Sequence, residues 1–163
     1  MSGTEYSCRA IGVARTPFTD PAATPIQAAF SAARGTVEVH PGFRDGLSAL
    51  AGFSHLILIY RFHHAAGEEL TERPLIDGAK AHGIFATRHF NRPNMLGISV
   101  VRLAGIDGGT IAIEGVDLLD GTPILDIKPY IPAFDCIGGA SSGWVTPQHV
   151  ERIKQQSASF RVE

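Results

Sequence analysis

Cysteine is nearly absent: Cys8 and Cys136 lie close to opposite ends of the chain, with no CxxC pair and no Cys/His ligand spacing around either. That excludes a disulfide framework and a zinc motif as organising devices, and it makes a reducing, cytoplasmic setting the expectation. Long apolar runs are missing as well. The most strongly apolar stretch, Leu56 to Tyr60, is far short of the roughly 20 residues that a bilayer-spanning helix requires. The N-terminal MSGTEYSCRA has no basic patch followed by an apolar segment, so neither a membrane span nor a signal peptide is expected. No charge of one sign dominates. With 14 Lys and Arg against 16 Asp and Glu, the formal net charge is -2, which excludes a surface coated with phosphate-binding cations. A local basic face remains open, since Arg61, Arg73, Lys80, Arg88 and Arg92 share the central third of the chain. Finally, no strand-like segment is followed by G-x-G-x-x-G, which excludes the usual dinucleotide fingerprint.

What is present describes one folded unit. A chain of 163 residues with 44% apolar and 18% charged residues can bury one substantial core, whereas two separate cores would each be marginal. Ser7 to Val13 and Gly35 to Val39 read as strands, with a Pro-, Ala- and Thr-rich loop between them. Phe43, Leu47 and Leu50 have helical spacing, predicting a short helix over 43–51 that ends at Gly52. The continuous apolar run in His55 to Phe62 predicts a central strand buried on both faces. Ile98 to Leu103, Thr110 to Glu114 and Ile124 to Lys128 follow, parted by turn signals at Asp107-Gly108-Gly109 and at Asp120-Gly121-Thr122-Pro123. Short strands with tight connections predict an all-β fold with minor helices, a single-sheeted and mainly antiparallel barrel over residues 1–135. Residues 136–163 read as an appendage: the Gly138 to Gly143 linker, then a C-terminal helix with Thr146 as N-cap, Pro147 at its first position and a stripe of Val150, Ile153 and Phe160. That helix requires a partner surface, on its own barrel or on another subunit.

Three segments carry chemistry. His82 to Ser99 turns from strand-like composition to Arg, Asn, Pro and Gly before the next strand, the make-up of an ordered binding loop and equally of a long surface crossover. Val116 to Pro132 sets Asp117, Asp120 and Asp126 around a Gly-Thr-Pro turn, where a carboxylate can receive a ribose or an amine or simply be solvated. His63 and His64 follow the apolar strand. On a strand, adjacent histidines point to opposite sides, so a two-histidine metal site is not expected there, and no metal is expected elsewhere.

Taken in order, IGVARTPF, GFSHLILIYRFHHA, GIFATR, RPN, GIS and DLLDGTPILDIKPYIP span residues 11 to 132 and resemble the TsaA-like or VirR-like family, whose characterised bacterial members are tRNA methyltransferases. The resemblance implies a dimeric single-sheeted barrel that binds S-adenosylmethionine near the subunit interface. It implies methyl transfer to N6 of threonylcarbamoyladenosine next to the anticodon of tRNA. Two alternatives stay open: a small-molecule acceptor, or a module that binds the cofactor without turnover.

Carried over position by position, the resemblance assigns cofactor binding to Pro17, Phe18 and Thr19, to His63 and His64, to Arg88 and Ile98, and to Asp117, Leu118, Leu119 and Asp120. An apolar wall for adenine and polar groups for the amino-acid end suit such a ligand. His89, His64 and Asp120 are the candidates for a base. Phe90, Asn91, Arg92 and Asn94 are assigned to the acceptor or the dimer interface, where His89-Phe90-Asn91 departs from the common family loop. Phe90, Met95 and Leu96 are expected to face a partner subunit.

Overall fold

The computed structural model describes residues 3–78 and 80–158. Its strands are β1 (Gly12–Arg15), β2 (Arg34–Val39), β3 (His55–Arg61), β4 (Thr71–Glu72), β5 (His82–Gly83), β6 (Leu96–Asp107), β7 (Thr110–Glu114) and β8 (Pro123–Pro129). Six of them close into a barrel in the order β1-β2-β7-β6-β3-β8, and β8 returns to β1 through Gly12 opposite Ile124. Every pairing is antiparallel. Closure leaves the barrel sheet itself without an unpaired edge, which is how one sheet can enclose a core alone. At the closing seam β1 lies so near β2 that a Cβ on Gly12 would sit 2.6 Å from the Glu38 carbonyl oxygen. Glycine permits that approach.

Alternation fills the interior. Val37, Val39, Leu56, Leu58, Tyr60, Val101, Ile111, Ile113 and Ile124 point inward and are buried. The apolar run of β3 is therefore buried on one face only: Leu56, Leu58 and Tyr60 are inside, while Ile57 and Ile59 are half-exposed outside. The continuous run reflects an apolar outer surface in addition to the core. On neighbouring β6, Leu96, Ile98 and Val100 continue that surface, each more than two fifths exposed.

Other expectations need correction. Residues 43–51 form no α-helix; two 3-10 segments, Pro41–Leu47 and Leu50–Gly52, are separated by Ala49 in the left-handed region at φ 64°. Pro41, Gly42 and Gly46 give the segment poor helix propensity, yet Phe43, Leu47 and Leu50 still pack on the core from this end. The first strand begins at Gly12, where pairing with Val39 starts, and not at Ser7. β6 runs past Leu103 to Asp107 through an irregularity between Leu103 and Gly105, where Ala104 and Gly105 mask the strand signal.

The loops after β1, β3 and β7 emerge from one end of the barrel. The chain leaves β8 at the other end, passes the short helix α1 (Pro132–Asp135) and the Gly138 to Gly143 stretch, and enters α2 (Pro147–Ala158). As expected of an N-cap, the Thr146 hydroxyl accepts from the His149 amide at 3.3 Å, and the His149 Nδ1 accepts from the Thr146 amide at 3.2 Å. Val150 and Ile153 are half-buried and Phe160 lies outside the described residues. The helix packs on its own chain, against the turn Ala28–Phe30 at the loop-bearing end.

Gly97 is the tightest point of this architecture. It pairs with Tyr60, and a Cβ there would overlap the Tyr60 ring and approach Phe62 Cζ to 2.9 Å. Gly97→Ala is expected to cost about 2 to 3 kcal/mol, a fall of roughly 4 to 12 °C in the thermal midpoint. Gly105→Ala on the same strand, with no atom within 4 Å of the added carbon, should move the midpoint by less than about 2 °C.

Candidate active site

At the loop-bearing end of the barrel the loops after β1 and β7 are tied to one another. The Thr16 hydroxyl donates to the Leu118 carbonyl at 2.7 Å, and the Thr16 amide donates to Asp120 Oδ1 at 3.0 Å. In return the Asp120 amide donates to the Phe18 carbonyl at 2.7 Å. Gly121 turns the chain in the left-handed region at φ 79°, where its amide reaches the Ala14 carbonyl at 2.9 Å. Phe18 and Leu118 are driven into the core, which leaves Pro17 and Thr19 exposed at the rim and Leu119 half-buried.

Beneath the rim lies a polar line inside the barrel. Tyr60 Oη is 3.0 Å from Ser99 Oγ, which donates to Asp117 Oδ1 at 2.6 Å. Tyr60 and Ser99 are buried and Asp117 is half-buried. Desolvation raises the Asp117 carboxyl to about 6, opposed by the Ser99 hydrogen bond, by the amides of Ala28 and of Asp117 itself, and by the Arg88 charge. Burial, then the nearby Asp117 charge, pushes the Tyr60 phenol well above its ordinary value. Tyr60 therefore stays protonated and donates to Ser99 when Ser99 donates to Asp117.

Arg88 is exposed, and its Nη1 donates to Gln27 Oε1 at 2.9 Å. It is not the buried ion pair that would make it purely structural. A neutral amide holds the guanidinium without cancelling its charge, which remains available to an anion. An exposed guanidinium whose charge reaches a desolvated carboxylate is suited to a ligand carrying both charges.

His63 and His64 depart from the geometry expected of strand residues. They stand on a turn after β3, and their rings touch with centroids 4.3 Å apart. His63 lies against Gly121, and burial followed by repulsion from His64 lowers its pKa, with Asp120 opposing. His64 is exposed at the rim. Among the described residues no group of three or more His, Cys, Asp or Glu side chains is arranged to hold a metal ion.

The remaining candidates divide between site and scaffold. His89 stacks on Phe90 at 4.1 Å, its Nε2 is 3.9 Å from Glu72, and its Nδ1 accepts from the Asn91 amide. Asn91 bridges to the Ala66 amide at 3.2 Å and to Glu69 at 3.2 Å, so it braces neighbouring loops. Arg92 is half-buried and donates to the Thr87 carbonyl at 2.8 Å, closing its own loop. Phe90 is exposed and stands edge-on to Phe62; Asn94 is exposed in the left-handed region at φ 63°. Ile98 faces the outside of the barrel, on the opposite side of β6 from Ser99, and so stands apart from the Asp117 cluster. Met95 is half-buried while Leu96 is exposed. Of the five central cations, Arg61, Arg73, Lys80 and Arg88 are exposed.

Thr16, Gln27, Tyr60 and Ser99 escaped the sequence reading. Thr16 stands inside ARTPF, and its neighbours carried the only signal. Gln27 has none, because a fold alone brings together residues 61 apart.

Comparison with known proteins agrees with this fold. Residues 13–136 match the family model described as the tRNA-methyltransferase O N-terminal domain. A probable S-adenosyl-L-methionine-binding protein of Pyrococcus abyssi is 51% identical over 140 residues, 84% of this chain and 74% of that one. A putative S-adenosylmethionine-dependent methyltransferase of Pseudomonas aeruginosa is 43% identical over 85% of this chain and 62% of its own length, so this chain spans less than two thirds of that relative. The crystal structure of TrmO from Pseudomonas aeruginosa superposes with a TM-score of 0.73 at 41% identity, covering 86% of this chain and 62% of the other. A further TrmO crystal structure gives 0.76 at 38% identity, over 96% and 80%. The chain belongs to the tRNA-methyltransferase O family, the TsaA-like family that its motifs resemble.

Proposed function

We propose that this protein binds S-adenosylmethionine at the loop-bearing end of the barrel and directs its methyl group to N6 of the adenine next to the tRNA anticodon, with threonylcarbamoyladenosine as the acceptor. One observation carries the reading: the loop-bearing end of the barrel holds an exposed Arg88 guanidinium, fixed by Gln27, whose charge reaches the desolvated Asp117 carboxylate. The amino-acid end of the cofactor bears a carboxylate and an ammonium, and the sulfonium adds a second positive charge, so this pair answers both signs. The relative in Homo sapiens, a tRNA (adenine(37)-N6)-methyltransferase 40% identical over 92 residues, supports adenine N6 of tRNA as the acceptor atom, although those residues are only 21% of its length.

The cofactor supplies a methyl group already activated by sulfonium charge. The chain's own task is to bind, orient and exclude water. Arg88 takes the ligand carboxylate, Asp117 answers the positive charge, and Pro17, Thr19, Leu119 and His63 form the rim. Of the base candidates, Asp120 is engaged with the Thr16 amide and His89 is pinned between Glu72 and Phe90, whereas His64 is exposed at the rim and free to take the acceptor proton. Arg61, Arg73 and Lys80 on the same loop-bearing end supply phosphate contacts for tRNA. The outer row of Ile57, Ile59, Leu96, Ile98 and Val100 is the homodimer face, and it brings Ile98 to the site from a partner's side. The setting is cytoplasmic, where tRNA is modified.

Calorimetry with S-adenosylmethionine followed by transfer of labelled methyl to bulk tRNA tests the reading. Heat and label are expected; heat without label points to a small-molecule acceptor or a sensor, and absence of heat overturns the proposal. Arg88→Ala should weaken cofactor binding by about 1.5 to 3 kcal/mol, the range for charge-assisted hydrogen bonds, with the apo melting temperature little changed. Sedimentation equilibrium should give a dimer at micromolar concentration, and Ile98→Glu should give a folded monomer.

Asp117 yields a prediction in pH. Its folded value of about 6 exceeds the ordinary 3.8, so as pH rises from 3.8 to 6 the unfolded chain ionises first and stability falls. Above 6 the full cost is present; below 3.8 it vanishes. Allowing for solvent at its exposed edge, Asp117→Asn should stabilise the apo protein by about 2 kcal/mol at pH 8. Denaturant titrations should show that gain disappearing near pH 4, while the same variant loses cofactor affinity at pH 8.

A further inference from the structure

The C-terminal segment beyond the family match reaches back to both supports of Arg88. Trp144 Nε1 donates to the Ala86 carbonyl at 2.8 Å, two residues before Arg88. The indole also stacks on His82, with centroids 4.3 Å apart and planes 14° from parallel. His82 is held by Asp77 at 2.8 Å, and His149 of α2 approaches the other Asp77 oxygen at 3.8 Å. The second support is Gln27, which accepts from Arg88 and immediately precedes the turn Ala28–Phe30. That turn is where α2 packs, with Lys154 Nζ 5.6 Å from the Phe30 ring centroid. Arg152 completes the attachment through the Ile76 carbonyl at 2.7 Å.

Besides Trp144, the turn that bears Arg88 is held by the Ile84 amide on the Leu70 carbonyl at 2.9 Å and by Arg92 on the Thr87 carbonyl at 2.8 Å. Ile84 is its buried anchor, Phe85 is 77% exposed, and Ala86 is exposed. A guanidinium on a long side chain loses much conformational freedom when it grips a ligand, and a backbone fixed in advance reduces that cost. We infer that Trp144 is a positioning residue for cofactor binding: by pinning Ala86 and His82, the C-terminal segment holds Arg88 and Gln27 in the arrangement that receives the ligand carboxylate. The inference rests on the reading of Arg88 as a cofactor-binding group.

The test uses the full chain and its Trp144→Ala and Trp144→Phe variants. Amide hydrogen exchange over residues 84–92 and in the barrel strands is measured beside S-adenosylmethionine affinity by calorimetry. In Trp144→Ala, exchange over 84–92 should quicken at least tenfold with β2, β3 and β7 still protected, and the Kd should rise about tenfold. Trp144→Phe keeps an aromatic face for His82 and lacks the donor, so an intermediate rise of about threefold is expected; this variant carries the test if Trp144→Ala loses cooperative melting. Unchanged exchange over 84–92 overturns the inference, and so does faster exchange with unaltered affinity. Equal loosening of the barrel strands also overturns it, since that marks a general structural role. Binding by the unaltered chain with no effect of either variant sinks only the positioning role. No binding by the unaltered chain removes the cofactor reading, and this inference with it.

Discussion

The hydrogen bonds between the ARTPF and DLLDGTP loops are the constraint on which the site depends. A six-stranded barrel fixes where strands end but leaves the connections between them free. The reciprocal use of Thr16, Phe18, Leu118 and Asp120 removes that freedom, because each loop satisfies backbone groups of the other. Phe18 and Leu118 can then occupy the core, and the rim and the Asp117 carboxyl take fixed places above and below them. Several polar side chains conspicuous in the sequence are thereby engaged in holding backbone. Asp120 is the clearest case.

Asp117 shows the opposite economy. Its carboxyl is partly removed from water, with a hydroxyl, two amides and a distant guanidinium as compensation. Such a group weakens the empty protein near neutral pH, and that weakening is understandable if a positive ligand is the missing partner. Tyr60 and Ser99 orient the carboxyl from inside the barrel, so the core and the site share atoms.

The barrel was legible because its turn signals are strong. Gly108-Gly109 and Gly121 require tight or left-handed turns, and the apolar alternation between them leaves few other folds. The helix expected over 43–51 failed because Phe43, Leu47 and Leu50 have a spacing that a 3-10 pair also satisfies, and the glycines favoured that pair. The double burial expected of β3 failed because a continuous apolar run does not distinguish a core from an outer apolar surface. At the site, motifs located the loops but not the division of labour within them. Asn91 and Arg92 look like ligand-binding residues in a list of types, and only geometry reveals that their polar atoms brace Ala66, Glu69 and Thr87. Gln27 was invisible for the complementary reason: its importance comes wholly from a long-range contact.

The neighbouring residues Ile98 and Ser99 bear on how this sequence can drift. One faces outward on the apolar row of β6 and the other faces the polar line within the barrel. In a strand, insertion or deletion of one residue exchanges the two faces for everything beyond it. Such a change between Gly97 and Val101 would put serine outside and isoleucine against Asp117, damaging both surfaces at once. Length changes are therefore barred from the start of β6, and tolerated ones belong in the linker around Gly138 to Gly143. Gain and loss of residues among relatives should cluster there, making the two faces of one strand a fixed ruler against which the rest of the chain varies.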